Sequence, residues 1–574
     1  MNTDIEVNGQ TIQACEGETI LNALRREGIV VPTLCHIEGL KPTGACRLCV
    51  VEVAGFVSLV PACSYPVSPH MKISTRSARV LEARRTVLEL LLGSHPDDCL
   101  YCARSGRCEL QRLAADLGVR DRRGRAKPSP RELDVSSPSV VRDPAKCVLC
   151  GKCVRVCEEI QTVSAIDFAG RGSRTRVQAA AGQGLGVSTC VGCGQCILAC
   201  PTGALTERSA VDAVLAALAD PTKVVVVQHA PAVSVTLAEE FGLPAGTDVD
   251  GKLVAALRRI GFARVFDTSF TADLTILEEA SELVARLTGG GELPMMTSCS
   301  PGWVSFVEQF YPEMVGHLSS CKSPQQMMGA LIKSVFAERE TIAPERIVCV
   351  SIMPCTAKKA ERARPEMTRD YRPDVDHVLT TREAAQLLRM HGIDLRAIEG
   401  EQADVPFGER SSAGKLFGAT GGVMEAALRT AHALVTGQEL GALEIEPLRG
   451  ERGIKELRAK VGEQTLGIAV VSGLGNARRL LEQLRAGRSD LHFIEVMTCP
   501  GGCIAGGGQP IGTTLEAVRA RMASLYAIDG EARLRTSHAN HSVQELYAQV
   551  LGAPLGSRSH ELLHTHYHPR PSAP

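Results

Sequence analysis

The sequence predicts a multidomain chain in which small α+β units precede one large α/β region. Three observations carry that expectation. At roughly 150 residues per domain, 574 residues suggest about four domains. Of 22 cysteines, 16 fall within residues 1–200, so one part of the chain does cysteine chemistry and the rest mostly does not. Beyond residue 210, strand and helix signals alternate to the end, the texture of mainly parallel, doubly covered sheets.

Composition narrows the classes. Lys and Arg total 63 against 64 Asp and Glu, a net charge of −1, which argues against a nucleic-acid or anionic-membrane partner. Hydrophobic residues make up 44 %, ample for several cores. No uninterrupted apolar run approaches the ~18 residues a spanning helix needs. The opening MNTDIEVNGQTIQAC is acidic and alternating, without a basic-then-apolar leader. A soluble, cytoplasmic protein is expected. Its thiols stay reduced there, which favours metal ligation over disulfides.

Residues 1–80 read as a β-rich unit, with a helix over 18–27 and strands in LCVVEVAG (48–55) and FVSLVPAC (56–63). Residues 81–125 form a second unit, helical over 81–118 and carrying a cysteine cluster. A third, 126–209, is cysteine-rich, and the Arg-, Pro- and Ser-rich 120–139 reads as a solvated surface connector. The fourth, 210–574, has strand candidates at 222–228, 264–267, 346–355, 465–473 and 493–499. Its helix candidates are 272–287, 323–339, 381–391 and 475–486. Ligands in such sheets gather beyond the carboxyl ends of the strands, and both Cys355 and Cys499 sit at such ends.

The most specific signal is a duplicated CxxCxxCxxxC run: Cys147, Cys150, Cys153, Cys157, then Cys190, Cys193, Cys196, Cys200 before Pro201. Two-residue spacers wrap three cysteines around one cubane, and each fourth cysteine ligates the other cluster. Cys147, Cys150, Cys153 and Cys200 are therefore expected on one [4Fe–4S] cluster, and Cys190, Cys193, Cys196 and Cys157 on the second. The run resembles a bacterial two-cluster ferredoxin. Cys35, Cys46, Cys49 and Cys63 follow C-x10-C-x2-C-x13-C, which departs from the plant-type spacing. That spacing resembles the [2Fe–2S] domain of complex-I-like and hydrogenase subunits, with Gly44 and Ala45 beside the cluster. Cys15 fits no spacing and reads as a small core residue. His95, Cys99, Cys102 and Cys108 suit structural zinc or a His-ligated [4Fe–4S] cluster equally well in isolation. Flanked by iron–sulfur sites, the cluster is the better reading.

A wire of four clusters needs a terminus. Three cysteine-bearing turns supply it: TSCSPGW (297–303), MPCTAKKAE (353–361) and the Gly-rich EVMTCPGGCIAGGGQP (495–510). These resemble the three signatures of the [FeFe]-hydrogenases, and the preceding spacings resemble the large monomeric clostridial type, over essentially the whole chain. The resemblance implies four parts: a β-grasp [2Fe–2S] domain, a cluster domain with one histidine and three cysteine ligands, a two-cluster ferredoxin domain and a large α/β H-cluster domain with parallel sheets in two lobes. It implies 2H⁺ + 2e⁻ ⇌ H₂ at an H-cluster, a [4Fe–4S] cubane joined through a thiolate to a two-iron unit with CO, CN⁻ and a dithiolate amine. Three further [4Fe–4S] clusters and one [2Fe–2S] cluster would feed it. At ~59 mV per pH unit the proton couple at pH 7 lies at roughly −410 mV, inside the iron–sulfur range.

By the same resemblance, Cys355 and Cys499 ligate the cubane and Cys503 bridges to the two-iron unit. Lys358 pairs with a cyanide, and Met353 and Met497 pack against the unit. Pro231 and Ala232 form a turn meeting the other cyanide, with Gln325, Phe417 and Gly418 as further walls. Glu279, Glu282 and Arg286 share one helical stripe, which by itself reads as a salt-bridged solvent face. The family pattern instead makes them a proton relay running inward as Arg286, Glu282, Ser319, Glu279, Cys299. Carboxyl, hydroxyl and thiol groups can each donate and accept.

One position departs from the pattern. The commonest motif has two adjacent cysteines, and this chain has Cys299 followed by Ser300. Either Ser300 ligates through an alkoxide, or Cys299 becomes the ligand and Ser300 the relay group, or Cys321 reaches the cluster. Cys349 reads as core. His560, His564, His566 and His568 read as a frayed tail binding metal adventitiously. Ferredoxin or a similar electron carrier and H-cluster maturation proteins are the expected partners. Partner subunits handling NAD(P) are the alternative, since no nucleotide fingerprint is present. An electron carrier or an H₂ sensor is the competing class.

Overall fold

The computed structural model describes residues 2–120, 132–440, 453–462 and 464–570. Most of the Arg-rich connector expected over 120–139 lies outside them. The first unit is a five-stranded sheet whose order places Asn2–Val7 between Gln10–Cys15 and Lys72–Ser74, followed by Val50–Val53 and Val60–Pro61. Helix Ile20–Arg26 packs Ile20, Leu21, Ala23 and Leu24 onto it, with Thr19 capping the Asn22 amide. Of FVSLVPAC only two residues are strand, because the rest is drawn into the turns that carry Cys63. Cys15 is exposed rather than core. The period-2 register of its hairpin, Asn2 opposite Cys15, turns it outward.

Helix Ala78–Gly93 links this unit to a turn-rich segment and to helix Glu109–Asp116. The expected helix over 81–118 is thus broken by the loop that carries His95, Cys99 and Cys102. In the ferredoxin-like unit, Gly151 and Gly194 take φ of +77° and +69° to start the short helices after each CxxC turn.

The large region has two four-stranded sheets. One runs Arg264–Asp267, Val224–His229, Ile347–Met353, His377–Thr380, all parallel. The other runs Met295–Met296, Phe493–Met497, Gln464–Ser472, parallel, and then Ile454–Val461, antiparallel at the edge. The expected strands are close to those observed, as are helices Ser269–Gly289, Pro324–Leu331, Thr381–Met390 and Leu474–Arg485. Edge strand Ile454–Val461 alternates polar and apolar residues and lacks the continuous apolar run of an inner strand. The carboxyl ends of Val224–His229, Met295–Met296, Ile347–Met353 and Phe493–Met497 lead directly into the segments bearing Pro231, Cys299, Cys355 and Cys499. No helix among the described residues is long and apolar enough to cross a membrane.

Candidate active site and its electron and proton approaches

The four strand ends converge on a cavity of about 80 Å³. Its lining contains Cys299, Ser300, Cys355, Cys503 and Lys358, and the walls Pro231, Ala232, Gln325, Met353, Phe417, Gly418 and Met497. The turn after His229 is anchored beneath by a buried charge cluster. There Lys415 Nζ lies 2.9 Å from Asp250 and 3.2 Å from Asp267, and Arg410 binds both carboxylates. Lys415 in turn fixes the segment that presents Phe417 and Gly418. A methyl on Gly418 would sit 2.7 Å from Leu525 and crowd Ala232.

Cys499 is buried beside this cavity, and Cys355 and Cys503 lie within its electrostatic reach. Burial pushes the thiols of Cys355 and Cys503 up, the latter to about 12, and that of Cys499 up as well. An iron core would reverse this, since a metal takes thiolate and releases the proton. Three convergent thiols, Met, Phe and Pro walls and one Lys cation fit a cluster with CO and CN⁻ ligands.

The cavity's cation and one of its amides are organised by a residue that sequence reasoning missed. Glu361 Oε2 accepts from Lys358 Nζ at 3.0 Å, Gln325 Nε2 at 3.1 Å and Ser323 Oγ at 3.0 Å. The only sequence signal for Glu361 is its i, i+3 spacing from Lys358 in KKAE. Lys358 also donates to the Cys299 carbonyl at 3.1 Å.

Ser300 begins helix Pro301–Phe310 but does not cap it with its hydroxyl. The Oγ instead lies 2.7 Å from Thr498 Oγ1 and accepts the Thr498 amide at 3.3 Å, one residue from Cys499. The Cys299 thiol faces elsewhere. Burial, then the negative charge of Glu279, raises it well above its ordinary value, and Cys503 adds to the rise. Cys321 does not line the cavity. Its Sγ, a Glu282 oxygen and a His564 nitrogen lie within 4.8 Å of one another.

The stripe of Glu279, Glu282 and Arg286 is no solvent face: the first two are 0 % and 8 % exposed. Arg286 Nη2 donates to Glu282 Oε1 at 2.6 Å, and Ser319 Oγ donates to Glu282 Oε2 at 2.9 Å. Glu279 follows, its two oxygens without a close hydrogen-bond partner among the described residues. Burial, then Glu282, pushes its carboxyl up to about 8, against the pull of the Ser298 amide and Ser319 hydroxyl. Hydrogen bonds thus join Arg286, Glu282 and Ser319, while Glu279 and Cys299 are linked to them through their mutual electrostatic influence.

On the electron side, Cys150, Cys147 and Cys200 all act on buried Cys153, while Cys193, Cys190 and Cys157 act on Cys196. Cys153 of the first run also acts on Cys196, so the two groups lie side by side. Cys147, Cys150, Cys153 and Cys200 also line one cavity, and His95, Cys99, Cys102 and Cys108 another. Cys35 is held low by the Cys46 thiol and Cys63 by the Cys49 thiol, which pairs the four N-terminal cysteines. Cys46, Cys108 and Val148 pack on one apolar cluster, so both N-terminal sites meet the first ferredoxin-like site. The second meets the catalytic loops: Gln195 Nε2 donates to the Ala505 carbonyl at 3.2 Å and Thr356 Oγ1 to the Gly192 carbonyl at 2.6 Å.

The comparisons agree with this layout. Residues 223–507 match the family described as iron only hydrogenase large subunit, C-terminal domain, and 515–570 match iron hydrogenase small subunit. Residues 1–78 match a 2Fe-2S iron-sulfur cluster binding domain, 84–123 the NADH-ubiquinone oxidoreductase-G iron-sulfur binding region, and 139–204 a 4Fe-4S dicluster domain. The chain is 48 % identical over 579 residues to the NADP-reducing hydrogenase subunit HndD of Solidesulfovibrio fructosivorans, covering 99 % of each.

The chain belongs to the iron-only, or [FeFe], hydrogenase family.

Iron hydrogenase 1 of Clostridium pasteurianum is 39 % identical over 570 residues, 98 % of this chain and 99 % of that one. The solved apo [FeFe]-hydrogenase HydA1 from Chlamydomonas reinhardtii superposes with a TM-score of 0.57 at 44 % identity, covering 63 % of this chain and 99 % of that one. An oxidoreductase acting on H₂, with an H-cluster domain behind iron–sulfur domains, is the reading these likenesses support. An electron carrier would have no need of the cavity.

Proposed function

We propose that this hydrogenase runs 2H⁺ + 2e⁻ ⇌ H₂ with four accessory clusters as the electron path and Arg286, Glu282, Ser319, Glu279 and Cys299 as the proton path. The observation that supports the reading is the hydrogen-bonded run Arg286–Glu282–Ser319, with the buried Glu279 carboxyl and the Cys299 thiol electrostatically coupled beyond it toward the cavity. Cys355, Cys499 and Cys503 would hold the H-cluster, with Ser300 at the remaining cubane corner. When bound, that cluster supplies the iron at which H₂ is made or split.

The chain's own residues do the rest. Arg286 keeps Glu282 oriented at the mouth of the path. Ser319 passes a proton between the carboxyl groups, since a hydroxyl donates and accepts at once. Glu279, pushed up to about 8 by burial and by Glu282, holds a proton at pH 7 and so can donate to Cys299. Lys358, restrained by Glu361, offers a fixed positive charge to an anionic cofactor ligand. The apolar walls exclude water from the cavity.

The likeness to a subunit of an NADP-reducing hydrogenase supports a setting in which partner subunits handle the nicotinamide nucleotide. Ferredoxin and maturation proteins remain the expected partners for electron supply and cofactor assembly, and the cytoplasm the expected location. Replacing Glu282 by Leu tests the proton path. Turnover with reduced viologen should fall by about 100-fold while iron content and infrared bands stay. Unchanged turnover would refute the path.

A further inference from the structure

Of the four tail histidines, His564 is not part of a frayed end, while His560, His566 and His568 are exposed. His564 is 5 % exposed. Main-chain bonds from Lys322 N to the Leu563 carbonyl and from Thr565 N to the Ser320 carbonyl, both 2.8 Å, clamp its segment against residues 320–322. Its ring spans two partners: Nδ1 lies 2.8 Å from Ser320 Oγ, and Nε2 lies 3.1 Å from Glu278 Oε2. Ser320 Oγ also donates to Glu282 Oε2 at 3.2 Å. A chain of hydrogen bonds therefore leaves the relay at Glu282 and ends on an imidazole.

Glu278 fixes how that imidazole is wired. Besides His564 it accepts from Tyr547 Oη at 2.5 Å, from Ser559 Oγ and from the Leu555 amide at 2.8 Å. A carboxylate with four donors remains an acceptor, so Nε2 keeps its hydrogen and the exchangeable position is Nδ1, facing Ser320. The other groups facing the ring are Glu282 from the same helix as Glu278, Cys321 from the loop, and His560, stacked at 4.3 Å with His566 beyond.

We propose that His564, acting through Ser320, is a proton-exchange partner of Glu282 that stores one proton beside the relay and returns it during turnover. In the charged ring Nδ1–H donates to Ser320 Oγ while Ser320 O–H donates to Glu282. On transfer the Nδ1–H bond breaks as a new Oγ–H bond forms, and the former hydroxyl proton becomes Glu282 Oε2–H. The ring is left neutral, with Nε2–H on Glu278. The reverse step reloads it from Glu282 with solvent protons, and no electron moves. Each turnover consumes or releases two protons, and a stored one spares Glu282 a second exchange with solvent. His564 is a positioning residue in this scheme, since it reaches the reacting atoms only through Glu282.

The proposal rests on the relay reading above, and the test separates the two. Matured His564→Gln, Ser320→Ala, Ser320→Thr and Glu282→Gln would be compared with the parent enzyme. H₂ evolution would be followed from about pH 5 to 9, with iron content and infrared bands recorded for each. His564→Gln and Ser320→Ala are expected to change the shape of the pH profile in the same way, with a loss of about threefold or more at its acidic end. Ser320→Thr, which keeps the hydroxyl, should restore it. A profile of unchanged shape in both variants, or a drop uniform across pH, would overturn the proposal. If Glu282→Gln also turns over normally, the relay itself fails. If only Glu282→Gln is slow, the relay stands and the store does not.

Discussion

Gly507 stands against Cys193: a methyl group on the glycine would collide with the carbonyl oxygen of the cysteine. The Gly-rich turn after Cys503 is what lets the second ferredoxin-like site come up to the cavity. Replacing Gly507 by Val should therefore push the two apart. We expect H₂ evolution to fall by of order 10- to 100-fold, with accessory clusters that still reduce and a full iron complement. Paired measurement of cluster reduction by EPR and of H₂ output checks this, and parallel losses of both would count against it.

Glu279 sets a pH dependence. Its folded pKa is raised to about 8 from the ordinary carboxylate value of 4.5, by burial first and Glu282 second. Such a group contributes stability fully present below about 4.5 and lost as pH rises through about 8, because folding then has to bury a charge. Proton delivery should decline over the same upper limb. In Glu279→Gln, turnover should drop about 100-fold or more, and thermal stability should lose its fall between about pH 4.5 and 8. Melting temperatures of the two proteins across that range test the sign.

Ser300 and Cys299 make separable predictions. Ser300 faces Thr498 and the Cys499 side, while Cys299 faces Glu279 and Cys503. Ser300→Cys should keep full iron and alter the EPR signature of the cubane. Cys299→Ala should keep full iron and lose turnover by about 100-fold. Iron loss in Cys299→Ala with retention in Ser300→Ala would reverse the two roles.

Glu361 holds Lys358, Gln325 and Ser323 on one oxygen. Removing its charge in Glu361→Gln leaves Lys358 buried without its counter-ion, a cost of about 3–5 kcal/mol. The expected result is a melting temperature lower by several degrees and weaker retention of the two-iron unit, read as loss of CO and CN⁻ band intensity at constant cubane content. A variant as stable as the parent, with undiminished bands, would show that Glu361 is dispensable.

Much of this was legible in the sequence because metal ligands leave rigid spacings. The two-residue spacers lead to the expectation that the fourth cysteines, Cys157 and Cys200, cross over, and Cys200 does line one cavity with Cys147, Cys150 and Cys153. The inner strands were readable because burial on both faces demands continuous apolar runs. What stayed hidden depends on contacts between distant segments. Periodicity alone reads Glu279 and Glu282 on one stripe as a solvent face, and only the family motifs pointed inward, since the burial of helix Ser269–Gly289 depends on distant segments. His564 read as tail because only main-chain pairing with residues 320–322 brings it beside Glu282. Cys15 misled for the opposite reason, since a small apolar side chain says nothing about which face of a hairpin it takes.

The most direct test of the central claim is an infrared spectrum of the anaerobically matured protein, recorded under argon and then under H₂. CO and CN⁻ bands that shift on changing the gas are the predicted result, since they require both the two-iron unit in the cavity and its reaction with H₂. Absence of such bands, in protein with full iron–sulfur content and alongside a control hydrogenase matured in the same way, would contradict it.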